Sequence, residues 1–250
     1  MRGHSRCLAL VVLLGVRGIP DQEPATANAP APAGGSEEKT LSFLGGKLFL
    51  REWRGGDSPV VLLLHGGRFH SGTWKDLGTL DLLIRENCSF VAVDLPGFGK
   101  SEAIEDLDQG TFLERLIAEL SIAPCVVVAP SMSGSFAFPL VERQHRAQGE
   151  TQQGGASLVC GFVPIAPVQA LDYAKKLKDC ALPALVLWGE QDQVFPVEQA
   201  DALVAVFTKG RKLILAGAGH PCYLDRPADF HRALVEFVRS LAKKKAASEK

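Results

Sequence analysis

Three short segments, far apart in the chain, carry residue types that together could perform acyl transfer. The first is Val127-Val128-Ala129-Pro130-Ser131-Met132-Ser133-Gly134-Ser135, which joins an apolar run to a helical pattern. A nucleophile on a sharp strand-to-helix turn needs small neighbours, because the turn brings backbone segments close together; the usual form is G-x-S-x-G. Ser131-x-Ser133-x-Ser135 reads as that form with serine in place of both glycines, so Ser133 is the candidate nucleophile. A helix start beside it would bring free N–H groups and partial positive charge to its hydroxyl. Pro139 falls early in that helix, where it would kink it. Serines also cap helices, so the motif acquires meaning only with its partners.

Those partners lie downstream. In Trp188-Gly189-Glu190-Gln191-Asp192-Gln193-Val194-Phe195-Pro196 an acid can orient an imidazole; Asp192 is the candidate and Glu190 the alternative. In Ala216-Gly217-Ala218-Gly219-His220-Pro221-Cys222 the glycines allow a loop that returns His220 towards the centre of a sheet. His220 would take the Ser133 proton and pass it to the leaving group, while Asp192 would fix the imidazole tautomer and stabilise the imidazolium. The oxyanion hole needs two backbone donors. Gly134, directly after the nucleophile, and Gly67, in His65-Gly66-Gly67-Arg68, are the candidates. Arg68 and Met132 are candidate pocket residues, and His70 could line the pocket or be solvated. His65 and Asp94 read as organisers of their own turns. A thiol role for Cys222, two residues past His220, is the lesser reading. No cysteine pair has the spacing of a metal site.

The elements that must position these residues alternate along the chain. Short apolar runs at Val60–Leu64, Phe90–Val93, Cys125–Ala129, Phe162–Ile165, Leu185–Trp188 and Lys212–Leu215 suit strands buried on both faces. Leu41–Phe43 and Lys47–Glu52 flank Gly45-Gly46 as a hairpin. Helical patterns fall at Trp74–Arg85, Thr111–Leu120, Ser135–Arg143, Val197–Phe207 and Ala228–Leu241; in the last, Phe230, Leu234, Phe237 and Leu241 share a face. The polar stretch Gln144–Ser157 reads as a surface loop. Strand–helix alternation predicts a doubly wound, mostly parallel α/β sheet, with chemistry at the carboxyl ends of its strands.

Composition narrows the function classes. The 250 residues carry a formal net charge of −1, which removes the electrostatic footprint of nucleic-acid binding. Arg2 and Arg6 precede an apolar stretch, Cys7 to Val16, so residues 1–20 read as a secretory signal or short membrane anchor. Residues 21–39, rich in Pro and Ala, read as a flexible linker. The folded domain is expected over residues 40–242, with a frayed basic tail over residues 243–250.

With these residues placed, the chain resembles an α/β-hydrolase from about Leu41 to Leu241. The order Ser, Asp, His is that of the superfamily, and a serine at the elbow disfavours dehalogenase and epoxide-hydrolase chemistry, which need a carboxylate there. Leu77-Gly78-Thr79-Leu80, Asp94-Leu95-Pro96-Gly97-Phe98-Gly99, Pro130-Ser131-Met132-Ser133-Gly134, Gly161-Phe162-Val163-Pro164-Ile165-Ala166-Pro167 and Gly217-Ala218-Gly219-His220-Pro221-Cys222-Tyr223-Leu224-Asp225 resemble the α/β-hydrolase domain-containing protein 14 family. That resemblance puts nucleophile, acid and base on Ser133, Asp192 and His220. It implies acyl-ester hydrolysis or acyl transfer from acetylated lysine, with no required cofactor and coenzyme A as a candidate acyl acceptor. Expected partners are a small-molecule or acylated-protein substrate and a transcription-related protein, with no nucleic acid, and a membrane only if the N-terminal segment is retained. The family implies a cytoplasmic location; residues 1–20, acting as a signal, would direct the chain to the secretory pathway or a membrane. Gly67, where the family often has a larger apolar residue, and Gln144–Ser157, which looks like an insertion, depart from its pattern. The competing reading is a non-catalytic interaction module on the same scaffold.

One further expectation comes from spacing. Lids of α/β-hydrolases usually enter between the sixth strand and the strand that carries the acid. Here that interval runs only from Pro167 to Pro183, too short for a bulky lid. An open pocket suits a small acyl group on a large carrier.

Overall fold

The computed structural model describes residues 34–56, 58–150 and 157–248. The readings placed on residues 1–20 and on the linker up to residue 33 lie outside the described residues. The chain opens with a hairpin, β1 (Glu37–Phe43) and β2 (Gly46–Trp53), in antiparallel register from Glu37 opposite Glu52 to Phe43 opposite Gly46. The ordered strand therefore begins inside the expected linker, whose last residues are held by this pairing. Then follow β3 (Val61–Leu63), α1 (Ser71–Asp76), α2 (Thr79–Arg85), β4 (Phe90–Val93), α3 (Gln109–Glu119) and β5 (Cys125–Pro130). A 3-10 turn over Ser131–Ser133 leads into α4 (Gly134–Glu150). The remainder is β6 (Val159–Ile165), α5 (Ala170–Lys176), β7 (Ala184–Gly189), α6 (Gln199–Val204), β8 (Gly210–Leu215), α7 (Cys222–Asp225) and α8 (Pro227–Ser248).

The eight strands form one sheet in the order β1-β2-β4-β3-β5-β6-β7-β8, parallel from β4 onwards. This is the doubly wound arrangement of an α/β-hydrolase. Side chains alternate across each strand, and the core divides accordingly. Leu62 of β3 and Cys125, Val127 and Ala129 of β5 face one layer, where Leu113 and Leu116 of α3, Phe136 and Leu140 of α4 and Leu203 of α6 pack. Val61 and Leu63, with Val126 and Val128, face the other, against Trp74 of α1, Leu83 of α2 and Phe230, Leu234 and Phe237 of α8. Each fully buried Leu or Phe contributes about 1.5–3 kcal/mol. Gly161 lets α8 approach β6: a Cβ there would meet Leu241 Cδ1 at 2.5 Å.

Several boundaries differ from the sequence reading. The helix expected over Trp74–Arg85 is two helices, because Gly78 sits at φ +79° and breaks the ladder. The loop expected over Gln144–Ser157 is helical up to Glu150, and the Gln144 side chain caps the neighbouring strand edge, accepting from Leu158 and Val159 N–H and donating to Val159 O. The backbone of α8 continues to Ser248, into the expected tail. Pro139 stands within α4 without ending it. Between β6 and β7 the chain holds only α5 and two short turns, so no lid domain enters there.

Candidate active site

β3 leads to β4 on one side and its other neighbour β5 leads to β6 on the opposite side, so the crossovers diverge between β3 and β5 and open a crevice at their carboxyl ends. Loops after β3, β5, β7 and β8 meet there. Ser131 is the first residue after β5, and its backbone is left-handed, at φ +48°. A side chain other than glycine, asparagine or aspartate held in that region is strained, and such strain is what thrusts a nucleophile clear of its turn. The Ser131 hydroxyl lies 2.8 Å from His220 Nε2, and His220 Nδ1 lies 2.8 Å from Asp192 Oδ2. Asp192 is fully used: its other oxygen accepts from Val194 N–H at 2.8 Å and Phe195 N–H at 2.9 Å. With Nδ1–H donating to the carboxylate, Nε2 is left to accept the serine proton.

The structure corrects the choice of serine. Ser133 is completely buried, and its hydroxyl donates to the carbonyl of His65, away from His220. The frame of small residues is therefore Ala129-Pro130-Ser131-Met132-Ser133, shifted two residues from the one expected, and Ser133 is the small, bonded neighbour. Gly134 moves with it. Its N–H points back at the Ser131 and Met132 carbonyls within the 3-10 turn, so it is occupied. The amide directly after Ser131 is that of Met132, in the first turn, where no carbonyl lies behind it to accept. Gly67 stays beside the site: a Cβ there would lie 3.5 Å from Met132 Sδ. The signal that distinguishes the two serines is where β5 ends.

Other expectations resolve through hydrogen bonds. Glu190 does not reach His220; its Oε2 accepts from Gly217 N–H at 2.8 Å. His65 is buried, accepts from Leu95 N–H through Nε2 and donates to Gly66 O from Nδ1. Burial lowers its pKa from 6.5, which keeps it neutral and in that tautomer. Asp94 ties two turns, accepting from Ser71 N–H and Lys100 N–H. His70 is exposed and caps α1 through Nδ1. Cys222 is fully buried, and burial pushes its thiol up to about 12, which leaves no thiolate to act. Cys88, Cys125, Cys180 and Cys222 form no disulfide.

A cavity of about 500 Å³ opens over Ser131. Met132, Ile165, Val194 and Tyr223 give it an apolar wall, and Gly67, Arg68 and His220 stand at its polar side. Among the described residues no cluster of His, Cys, Asp and Glu could hold a metal ion.

Comparison with known proteins agrees with the fold. Residues 61–172 match the Alpha/beta hydrolase family and residues 147–246 match the TAP-like protein family. The chain is 38% identical over 219 residues to "Putative protein-lysine deacylase ABHD14B" of Pongo abelii, an alignment covering 82% of this chain and 96% of that protein. This chain belongs to the α/β-hydrolase domain-containing protein 14 family. A second branch of the family, represented by Protein ABHD14A of Homo sapiens, is 34% identical over 247 residues, covering 96% of this chain and 86% of that protein. Among solved structures, a predicted CIB-like hydrolase from Thermoplasma acidophilum superposes with a TM-score of 0.73 at 22% identity, covering 82% of this chain and 99% of that one. Family membership supports a hydrolase role. Among the described residues no helix of this family member is long and apolar enough to cross a membrane.

Proposed function

We propose that this chain is a serine hydrolase that removes small acyl groups from esters or acylated amines through an acyl-Ser131 intermediate. The observation that carries this is the continuous bonded path from Ser131 to His220 to Asp192 at the floor of an open cavity. His220 Nε2 takes the Ser131 proton as Oγ attacks the acyl carbonyl. The N–H groups of Met132 and Gly67 receive the oxyanion; removing such a donor typically costs about 10²–10³ in rate. His220 then returns the proton to the departing oxygen or nitrogen, leaving the acyl group on Ser131. Water, activated by the same imidazole, attacks next and releases the acid. A thiol such as coenzyme A in the place of water would carry the acyl group away as a thioester.

The lack of a lid between β6 and β7 favours a small acyl group on a bulky carrier, and the name of the Pongo abelii relative suggests acylated lysine as that carrier. A fluorophosphonate probe tests the reading. Wild-type protein is expected to be labelled on Ser131, and Ser131→Ala to be silent while folded. Labelling that persists in folded Ser131→Ala, or a wild type that the probe does not touch, would overturn it. High turnover of long-chain triglyceride with little of acetyl esters would overturn the size preference.

A further inference from the structure

Besides Arg68 at its polar side, the cavity over Ser131 is lined by a buried hydrogen-bonding side chain that the acyl-transfer steps do not use. Tyr223, on α7, lines the cavity and is 2% exposed. Its ring is fixed by Trp74 at 4.8 Å between centroids, Phe230 at 5.8 Å and Phe69 at 6.3 Å. No described residue offers its hydroxyl a hydrogen bond. The side-chain polar atoms sealed without a partner are Arg51 Nε, Ser58 Oγ and Ser71 Oγ, and the Tyr223 hydroxyl is not among them. It therefore opens onto the cavity that its side chain lines. Buried polar groups are almost always paired, so a phenol held in an aromatic cluster with its hydroxyl open to a binding cavity marks the place of a ligand atom.

Resting on the acyl-Ser131 reading, we propose that Tyr223 is a specificity-determining residue whose hydroxyl donates to an acceptor oxygen carried by the acyl group beyond its scissile carbonyl. The substrate class is then oxo- or hydroxy-acyl esters and amides in preference to plain alkanoyl ones. The acyl side is indicated by depth. The leaving group departs past His220, whose side chain is 20% exposed, whereas Tyr223 is enclosed. Burial raises the phenol pKa, so the hydroxyl remains a donor across the working pH range. A site built around such a donor discriminates against analogues that leave it unpaired.

The test compares length-matched p-nitrophenyl esters, 4-oxopentanoate against pentanoate and 5-oxohexanoate against hexanoate, on wild type and Tyr223→Phe. Phenylalanine keeps the aromatic packing and removes only the hydroxyl. Wild type is expected to favour the oxo member of at least one pair by about tenfold in kcat/KM. Tyr223→Phe is expected to abolish the preference, with the loss in kcat/KM falling on the oxo esters. Equal ratios in both proteins overturn the proposal. A uniform loss across all esters also overturns it, since the hydroxyl would then act at the reacting carbonyl. Saturation-transfer NMR with 2,5-hexanedione and 2-hexanone gives a readout independent of turnover. A dione preference that disappears in Tyr223→Phe, in a protein that hydrolyses no ester, keeps the Tyr223 assignment and refutes the hydrolase reading. No dione preference in either protein overturns the assignment.

Discussion

Gly189 faces the carbonyl of Gly219 so closely that a Cβ added to it would lie 2.0 Å from that oxygen and 2.5 Å from the Ala218 oxygen. The last residue of β7 must be bare because the loop that delivers His220 crosses directly over it. Backbone stands on both sides of the contact, so neither side can swing away. Gly189→Ala should displace the loop, and misplacing a reacting group by about 1 Å can cost about 10²-fold. We expect kcat/KM on p-nitrophenyl acetate to fall by about that factor, with an overpacking cost of about 1–3 kcal/mol in urea unfolding. Full activity in this variant would show that His220 is held by something other than this crossing.

Ser133 and Ser131 make opposite predictions although two residues separate them. Ser133 is sealed and ties the elbow to the loop after β3 through the His65 carbonyl. Ser133→Ala should therefore lose about 1 kcal/mol of stability while retaining fluorophosphonate labelling and most ester hydrolysis. Ser131→Ala should lose labelling and hydrolysis together. Loss of labelling in a stable, folded Ser133→Ala protein would return the nucleophile to Ser133.

The pair also shows what the sequence could and could not disclose. The parallel strands were legible because runs such as Val60–Leu64 and Phe90–Val93 are apolar at every position, as strands buried on both faces must be. Asp192 was legible because it follows such a run, and His220 because it follows the shorter apolar end of β8, an edge strand with only Leu215 buried; the strand order brings the two loops side by side. The elbow frame was not, since Ala129, Ser131, Ser133 and Ser135 are all small and alternate in both frames. What separates them is a strand end at Pro130 and a φ of +48° at Ser131, and no residue type announces a left-handed serine. α7 escaped because a four-residue helix is too short to show a period, and with it went the placement of Tyr223.

His65 sets an acid limit on the fold. It is buried and neutral, with Nε2 accepting from Leu95 N–H, a bond that protonation would destroy. Burial places its folded pKa below 6.5, and burial lowers His231 in the same way. Above 6.5 folded and unfolded states are both neutral at these positions, and their contribution to stability is complete. As the pH falls below that value the unfolded chain binds protons first, so stability declines until the folded pKa values are reached. The urea midpoint should drop between about pH 7.5 and about pH 5.5, and the His65 ring should titrate below 6.5 by NMR. A ring inflection at or above 6.5 would contradict the buried, neutral assignment.

The loop that carries His220 is fastened at two points by carboxylates that never touch the imidazole. Glu190 Oε2 accepts from Gly217 N–H and Asp225 Oδ2 accepts from Gly219 N–H, each at 2.8 Å, while Gln191 N–H donates to Ala218 O between them. The three contacts hold successive residues of the segment that ends in His220, so they act on the imidazole through its backbone. Removing the acceptor nearest the base should matter most. Asp225→Ala is expected to lower kcat by about tenfold with KM nearly unchanged, because the serine–imidazole alignment weakens and the cavity is untouched. Asp225→Asn keeps an acceptor oxygen and should recover most of that loss, and Glu190→Gln should cost less than Asp225→Ala. A matched loss in Asp225→Asn and Asp225→Ala, or a change confined to KM, would mean that the carboxylate serves the substrate or the fold rather than the position of His220.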